Sequence, residues 1–257
     1  MSAKAKPKVG FFEFTSCEGC QLTVVDVLQN HPELLDAIEI VEFREAMSEK
    51  HDPNERFDIV FIEGSCTRPS DEAKIKALRE RANLVVALGA CADLGGVNTI
   101  RNVFPLQEVR EYVYGEHADW YETYTARPIS AVIQVDAAIP GCPIDRDEFA
   151  KAVTHLLQGR MPNLPDYPLC IECKLRGTVC MYQRGKACLG PVIRAGCAAI
   201  CPAYGYGCEG CRGFVPNANL DSMREVMREA GVSDEEIDSR LHIFLTYQMM
   251  QREEQPS

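Results

Sequence analysis

Five short apolar runs punctuate the first 160 residues, at 9–14, 38–43, 59–62, 84–88 and 129–135. Ile59-Val60-Phe61-Ile62 and Leu84-Val85-Val86-Ala87-Leu88 are almost wholly apolar. Continuous runs of this kind mark strands buried on both faces. Helical spacing begins at 22–28 and covers about 70–81 and 145–157. Strands that alternate with helices predict a parallel sheet with helices on both faces. The fold class is therefore α/β, a flavodoxin-like, doubly wound parallel sheet occupying residues 8–160.

Residues 94–128 interrupt the alternation. They hold the only tryptophan, Trp120, among Tyr112, Tyr114, Tyr121 and Tyr124. This stretch is expected to be a long connection with some helix, either an interface or a surface insertion packed by its own aromatics. After Pro162, Pro165 and Pro168 the pattern is lost, and from Cys170 to Pro216 neither a period of 2 nor one of 3.6 persists. Residues 161–216 are expected to form a small irregular cysteine-rich domain that needs something beyond apolar burial to hold it. A C-terminal helical tail should cover 217–257, with Asp221 as one cap and Ser233 with Glu236 as a capping box.

The net charge is −11, from 38 acidic and 27 basic residues. That balance argues against nucleic acid as a partner, which would call for a basic face. No apolar run approaches the roughly 20 residues of a membrane span, and residues 1–8 carry neither an apolar signal stretch nor a twin arginine. The chain reads as cytoplasmic, with no direct membrane span. In that compartment thirteen cysteines do not suggest a disulfide framework. Nor can core packing absorb eight cysteines between Cys170 and Cys211.

Cys17-Glu18-Gly19-Cys20 follows the first predicted strand, Cys91 the fourth and Cys142 the fifth. In a doubly wound sheet the segments beyond the carboxyl ends of the strands converge on one crevice. Three separate segments should thus bring four thiols to one place. Four thiolates suit a [4Fe–4S] cluster or zinc. Cys66 follows the third strand and is a possible extra thiol near this site. Glu13 and Glu18 flank the motif and could relay protons, or could be ordinary loop acids. The eight later cysteines divide into Cys170, Cys173, Cys180 and Cys188, then Cys197, Cys201, Cys208 and Cys211. Cys197-x-x-x-Cys201-Pro202 echoes the end of a ferredoxin run. Paired zinc knuckles leave the wider gaps unexplained, so three cysteine sites read as an electron relay, with a zinc-binding scaffold as the remote alternative. None of His31, His51, His117, His155 and His242 pairs with a cysteine motif.

In combination, Phe12–Cys20, Ile62–Ser65, Ala87–Cys91, Ile139–Pro143, Cys170–Lys174, Lys186–Pro191, Arg194–Cys197 and Cys208–Gly213 resemble the motifs of nickel–iron hydrogenase small subunits. The cytoplasmic sulfhydrogenase delta and F420- or viologen-reducing gamma types are the most similar. The resemblance spans roughly residues 8–215. It implies three [4Fe–4S] clusters: a proximal one on Cys17, Cys20, Cys91 and Cys142; a distal one on Cys170, Cys173, Cys180 and Cys188; and a medial one on Cys197, Cys201, Cys208 and Cys211. It also implies a large partner subunit that carries the Ni–Fe centre and the H2 chemistry, and a flavin or iron–sulfur subunit as electron acceptor. Many exported relatives have histidine where Cys170 stands and lack a residue like Cys201, so four irons are expected at each site here. The 20-kDa subunit of respiratory complex I is a more distant likeness. It leaves open a relay subunit whose large partner lacks Ni–Fe, although Cys17-x-x-Cys20 and the eight-cysteine segment disfavour it.

Overall fold

The computed structural model describes residues 5–49 and 52–254; His51 lies outside them. The chain divides into two compact units, Met1–Pro162 and Asn163–Ser257.

The first unit is built on five strands: β1 (Lys8–Glu13), β2 (Glu39–Phe43), β3 (Phe57–Glu63), β4 (Ala82–Leu88) and β5 (Ala137–Ile139). All pair in parallel, in the order β2-β1-β3-β4-β5. This is the flavodoxin-like order, in which the chain reverses its direction of travel between β1 and β3. The helices are α1 (Gly19–Asn30), α2 (Pro32–Ala37), α3 (Pro69–Arg81), α4 (Gly89–Leu94), α5 (Leu106–Tyr114) and α6 (Arg146–Leu157).

Alternation along the strands builds two cores, one on each face of the sheet. Phe11, Phe61, Val86 and Leu88 enter the first together with Val24, Val27 and Phe149. Phe11 lies 4.9 Å from Phe61 and 4.5 Å from Phe43, ring to ring. Val60, Ile62, Val85 and Ala87 enter the second with Ile75 and Leu78 of α3. Gly10 sits in the middle of β1 because a Cβ there would lie 2.7 Å from the Phe12 ring and 2.9 Å from the Phe57 ring.

The fifth strand is not at 129–135. Ile129–Ala131 is a short 3-10 turn and the strand is the three residues Ala137–Ile139. Ile129 is fully buried in the second core, so the run is apolar because of packing, not pairing. Between β4 and β5, residues 96–120 form 3-10 helix Gly96–Val103, then α5, then 3-10 helix Gly115–Trp120. Phe104, Tyr112 and Trp120 are exposed on this insertion.

The second unit holds α7 (Cys170–Leu175), α8 (Ile200–Ala203), α9 (Leu220–Glu229), α10 (Asp234–Leu241) and α11 (Thr246–Glu254). Antiparallel bridges Pro168–Arg194 and Ile193–Phe214 tie its cysteine-rich loops together. Met223 and Met227 of α9, Ile237 and Leu241 of α10, and Leu245 just before α11 are buried, as are Leu169, Leu189 and Ile193. Gly210 lies under Leu245 so closely that a Cβ would come within 2.8 Å of its Cδ1. The apolar side chains scarce in the cysteine-rich segment are thus supplied by the helices after it. Asn219, not Asp221, caps α9, accepting the Ser222 N–H at 2.9 Å. Ser233 caps α10 through the Glu236 N–H.

Candidate metal centres

In the first unit, the loops after β1, β4 and β5 meet at Gly89. A Cβ there would collide with the Cys20 sulfur and lie 3.5 Å from the Gly141 carbonyl. The Ala90 N–H donates to that same carbonyl at 2.7 Å. Cys20 on α1, Cys91 on α4 and Cys142 just beyond β5 are thereby gathered with Cys17. Burial pushes the Cys91 thiol up to about 12, and the Cys142 and Cys17 thiols add to the rise. Burial likewise pushes Cys20 far up, with Glu63, Cys142 and Cys91 contributing. Cys17 and Cys142 are exposed. Gly96 also admits a sulfur: its Cβ would stand 2.9 Å from the Cys91 Sγ.

Glu63, at the carboxyl end of β3, organises this site. Its buried carboxylate accepts the Cys20 N–H at 3.2 Å and the Gln21 N–H at 3.0 Å. Glu18, the N-cap of α1, has left-handed backbone and makes no side-chain cap, so Glu63 satisfies these first-turn donors in its place. In the sequence Glu63 appears only as part of a motif. The one local signal is an acid closing an otherwise apolar strand. Glu13 and Glu18 are exposed on the same rim.

The structure does not bring Cys66 to the four thiols. Its side chain belongs to the core on the opposite face of the sheet from Cys20. The Cys66 Sγ lies 2.7 Å from the Tyr124 hydroxyl, which also approaches Glu72 at 3.2 Å, and Arg127 pairs with Glu72 at 2.7 Å. Burial pushes the Cys66 thiol up. Cys66 follows β3 as expected, but the turn at Gly64 and an antiparallel bridge to Arg127 hold it on the other side.

In the second unit, Cys170, Cys173, Cys180 and Cys188 line one cavity of about 120 Å³, with Val179 and Met181 among its walls. Gly190 closes it: a Cβ there would lie 3.4 Å from the Cys170 sulfur and 3.5 Å from that of Cys188. Burial, then the neighbouring thiols, push Cys170 and Cys173 up to about 11. Cys197, Cys201, Cys208 and Cys211 form the next neighbourhood. Burial raises Cys208 well above its ordinary value, with Cys188, Cys211 and Cys197 adding to it. The Cys208 N–H donates to the Cys188 sulfur at 3.2 Å, where the two sets adjoin. Burial raises Cys197 and the buried Arg212 opposes it.

The donor sets fit iron–sulfur clusters chemically. They are soft thiols in groups of four, drawn from separate segments, with glycines where a side chain would meet sulfur. His31 contacts Glu33 and His242 the Asp238 carbonyl.

The family described as NADH ubiquinone oxidoreductase, 20 Kd subunit, matches residues 17–156. Over 92% of its length the chain is 36% identical to the sulfhydrogenase 2 subunit delta of Pyrococcus furiosus, covering 98% of that protein. It is 31% identical to a subunit of the F420-non-reducing hydrogenase vhu of Methanocaldococcus jannaschii, over 91% of this chain and 92% of that one. Among solved structures, an actinobacterial-type NiFe-hydrogenase from Ralstonia eutropha H16 aligns with 98% of this chain and 91% of its own, at TM-score 0.57 and 15% identity. A chain of an NAD+-reducing [NiFe]-hydrogenase aligns with 63% of this one and 96% of its own, at TM-score 0.56 and 24% identity. At these identities the structural likeness speaks for the fold. The chain belongs to the family that unites the 20 Kd subunit of NADH ubiquinone oxidoreductase with hydrogenase small subunits. Within it, the relatives matched over most of the chain are hydrogenase subunits, which makes this an oxidoreductase subunit of hydrogenase type. No helix among the described residues is long and apolar enough to cross a membrane.

Proposed function

We propose that this chain relays single electrons within a nickel–iron hydrogenase complex through three [4Fe–4S] clusters. Cys17, Cys20, Cys91 and Cys142 would hold the proximal cluster, nearest a large subunit that carries out the H2 chemistry. Cys197, Cys201, Cys208 and Cys211 would hold the medial cluster. Cys170, Cys173, Cys180 and Cys188 would hold the distal one, nearest a flavin or iron–sulfur partner. Each cluster, when bound, takes up and releases one electron at a time. The chain's own residues fix where the clusters stand, keep water from their buried sides and aim backbone N–H groups at the thiolates.

The observation that supports this most is the cavity of the second unit. It gathers four thiols from residues 170–188 against apolar walls and a glycine, an arrangement that ordinary packing of small apolar cysteines leaves unexplained. The family match at residues 17–156 stops short of this segment, while the hydrogenase relatives span it. That favours the hydrogenase reading over a complex I-like relay. Anaerobically purified protein should contain about twelve irons and about twelve sulfides, four per cysteine quartet. Zinc without sulfide would overturn the reading, and about eight irons would strike out one quartet.

A further inference from the structure

Helix α7 carries two of the proposed distal ligands, Cys170 and Cys173, and between and just beyond them two side chains that reach elsewhere. The Glu172 carboxylate accepts the Gly196 N–H at 2.8 Å on one oxygen and the Ala199 N–H at 3.0 Å on the other. The Arg176 guanidinium donates to the Ala198 carbonyl at 2.8 Å. All three contacts fall on residues 196–199, the stretch that presents Cys197 and leads into Cys201. On its other shoulder this stretch is held by Arg212, whose Nε donates to the Ala195 carbonyl at 2.6 Å.

The stretch needs holding. Ala198 and Ala199 both have left-handed backbone, with φ of 52° and 49°, a conformation that costs any L-residue with a Cβ. The Glu172 carboxylate reaches N–H groups on both sides of Cys197, at Gly196 and at Ala199, the second of the two strained residues. Strained backbone persists only where its surroundings over-determine it, and α7 supplies that constraint from both the donor and the acceptor side.

We propose that Glu172, seconded by Arg176, is a positioning residue that fixes the loop of the medial quartet to the helix of the distal quartet, and so sets the spacing across which an electron passes between the two clusters. This rests on the ligand sets proposed above. Electron passage between two centres weakens steeply with their separation, so a clamp joining the two ligand-bearing segments acts on function without touching either cluster.

The test uses the full-length chain, purified without oxygen and reduced in steps. Electron paramagnetic resonance reads the magnetic interaction between neighbouring reduced clusters, and a redox titration reads each midpoint. In the wild type, the medial and distal signals should broaden and split each other when both are reduced. Glu172→Ala should lose that splitting and shift the medial midpoint, leaving the proximal signal as it was. Glu172→Gln, which keeps one acceptor oxygen, should retain part of the splitting, and Arg176→Ala should weaken it. If Glu172→Ala fails to fold or loses the medial cluster, Glu172→Gln and Arg176→Ala decide. Splitting and midpoints unchanged in both would overturn the proposal, whereas weakening in either supports it. A wild-type chain with about eight irons or fewer would instead overturn the ligand sets themselves.

Discussion

Replacing Glu63 by alanine should destabilise the first unit and loosen its metal site together. The carboxylate is buried and accepts two N–H groups from the first turn of α1. Each buried donor left without a partner costs about 1–3 kcal/mol. The negative charge at the start of a 12-residue helix is worth a further 0.3–1 kcal/mol or so. Against this stands the cost of burying the charge, which pushes the Glu63 carboxyl above its ordinary 4.5. The balance is a loss of roughly 2–5 kcal/mol, or about 4–20 °C of melting temperature for a unit of this size. Glu63→Gln, keeping one acceptor, should lose about half as much. The assay is an anaerobic thermal melt of the whole chain, following far-UV circular dichroism and cluster absorption together. The pH dependence carries a sign. Because the folded carboxyl holds its proton after the unfolded one has released it, Glu63 withdraws stability as pH rises from 4.5 through the folded value, then levels off. The Gln variant lacks this decline, so its deficit against wild type should shrink across that window. A Glu63→Ala chain that melts within about 1 °C of wild type, with its cluster absorption intact, would refute the reasoning.

Cys201→Ser should convert or weaken the medial cluster and leave the proximal and distal spectra in place; three unchanged four-iron spectra would make Cys201 structural. Cys66→Ala should leave the proximal signal untouched, because that thiol faces Tyr124 in the opposite core, and should cost about 1 kcal/mol for the lost hydrogen bond. Removing the clusters from the whole protein should strip hydrogen-exchange protection from residues 170–213 far more than from β1, β3 and β4. Equal protection with and without clusters would mean the segment is held by ordinary packing.

The strands legible in the sequence are those whose burial on both faces leaves no polar positions, as in Ile59–Ile62 and Leu84–Leu88. The fifth was misplaced because β5 is three residues of mostly small side chains, while the longer apolar run before it turns inward as a 3-10 segment. The cysteines stand out in the sequence because thiols have few other reasons to recur at such spacings, and the structure brings Cys170, Cys173, Cys180 and Cys188 to one cavity. Cys66 shows the limit of that reasoning: chain order puts it on the same rim, and only the turn after β3 and its bridge to Arg127 decide its side. Glu63 and Glu172 were silent for a different reason. Each acts on backbone N–H groups 42 or 43 positions before it and 24 or 27 after it, respectively, and no local pattern announces a bond of that reach.

The parallel order of the sheet has a bearing on how the protein matures. Cys17 and Cys142, proposed for one cluster, stand 125 positions apart, whereas Cys170 and Cys188 are 18 apart. Closing the longer span costs about 1.7 kcal/mol more in chain entropy. More importantly, the longer span closes only after β1, β3, β4 and β5 have assembled side by side, a slow event for pairings so distant. The short span needs only the residues of its own loop, although these emerge from synthesis after the whole of the first unit. The first unit must present a finished sheet before its own cluster has anywhere to go, whereas the cysteine-rich loop can fold around its cluster. Whatever delivers iron and sulfide therefore meets two different substrates in one protein: a loose loop that folds around its cargo, and a preformed crevice that receives it.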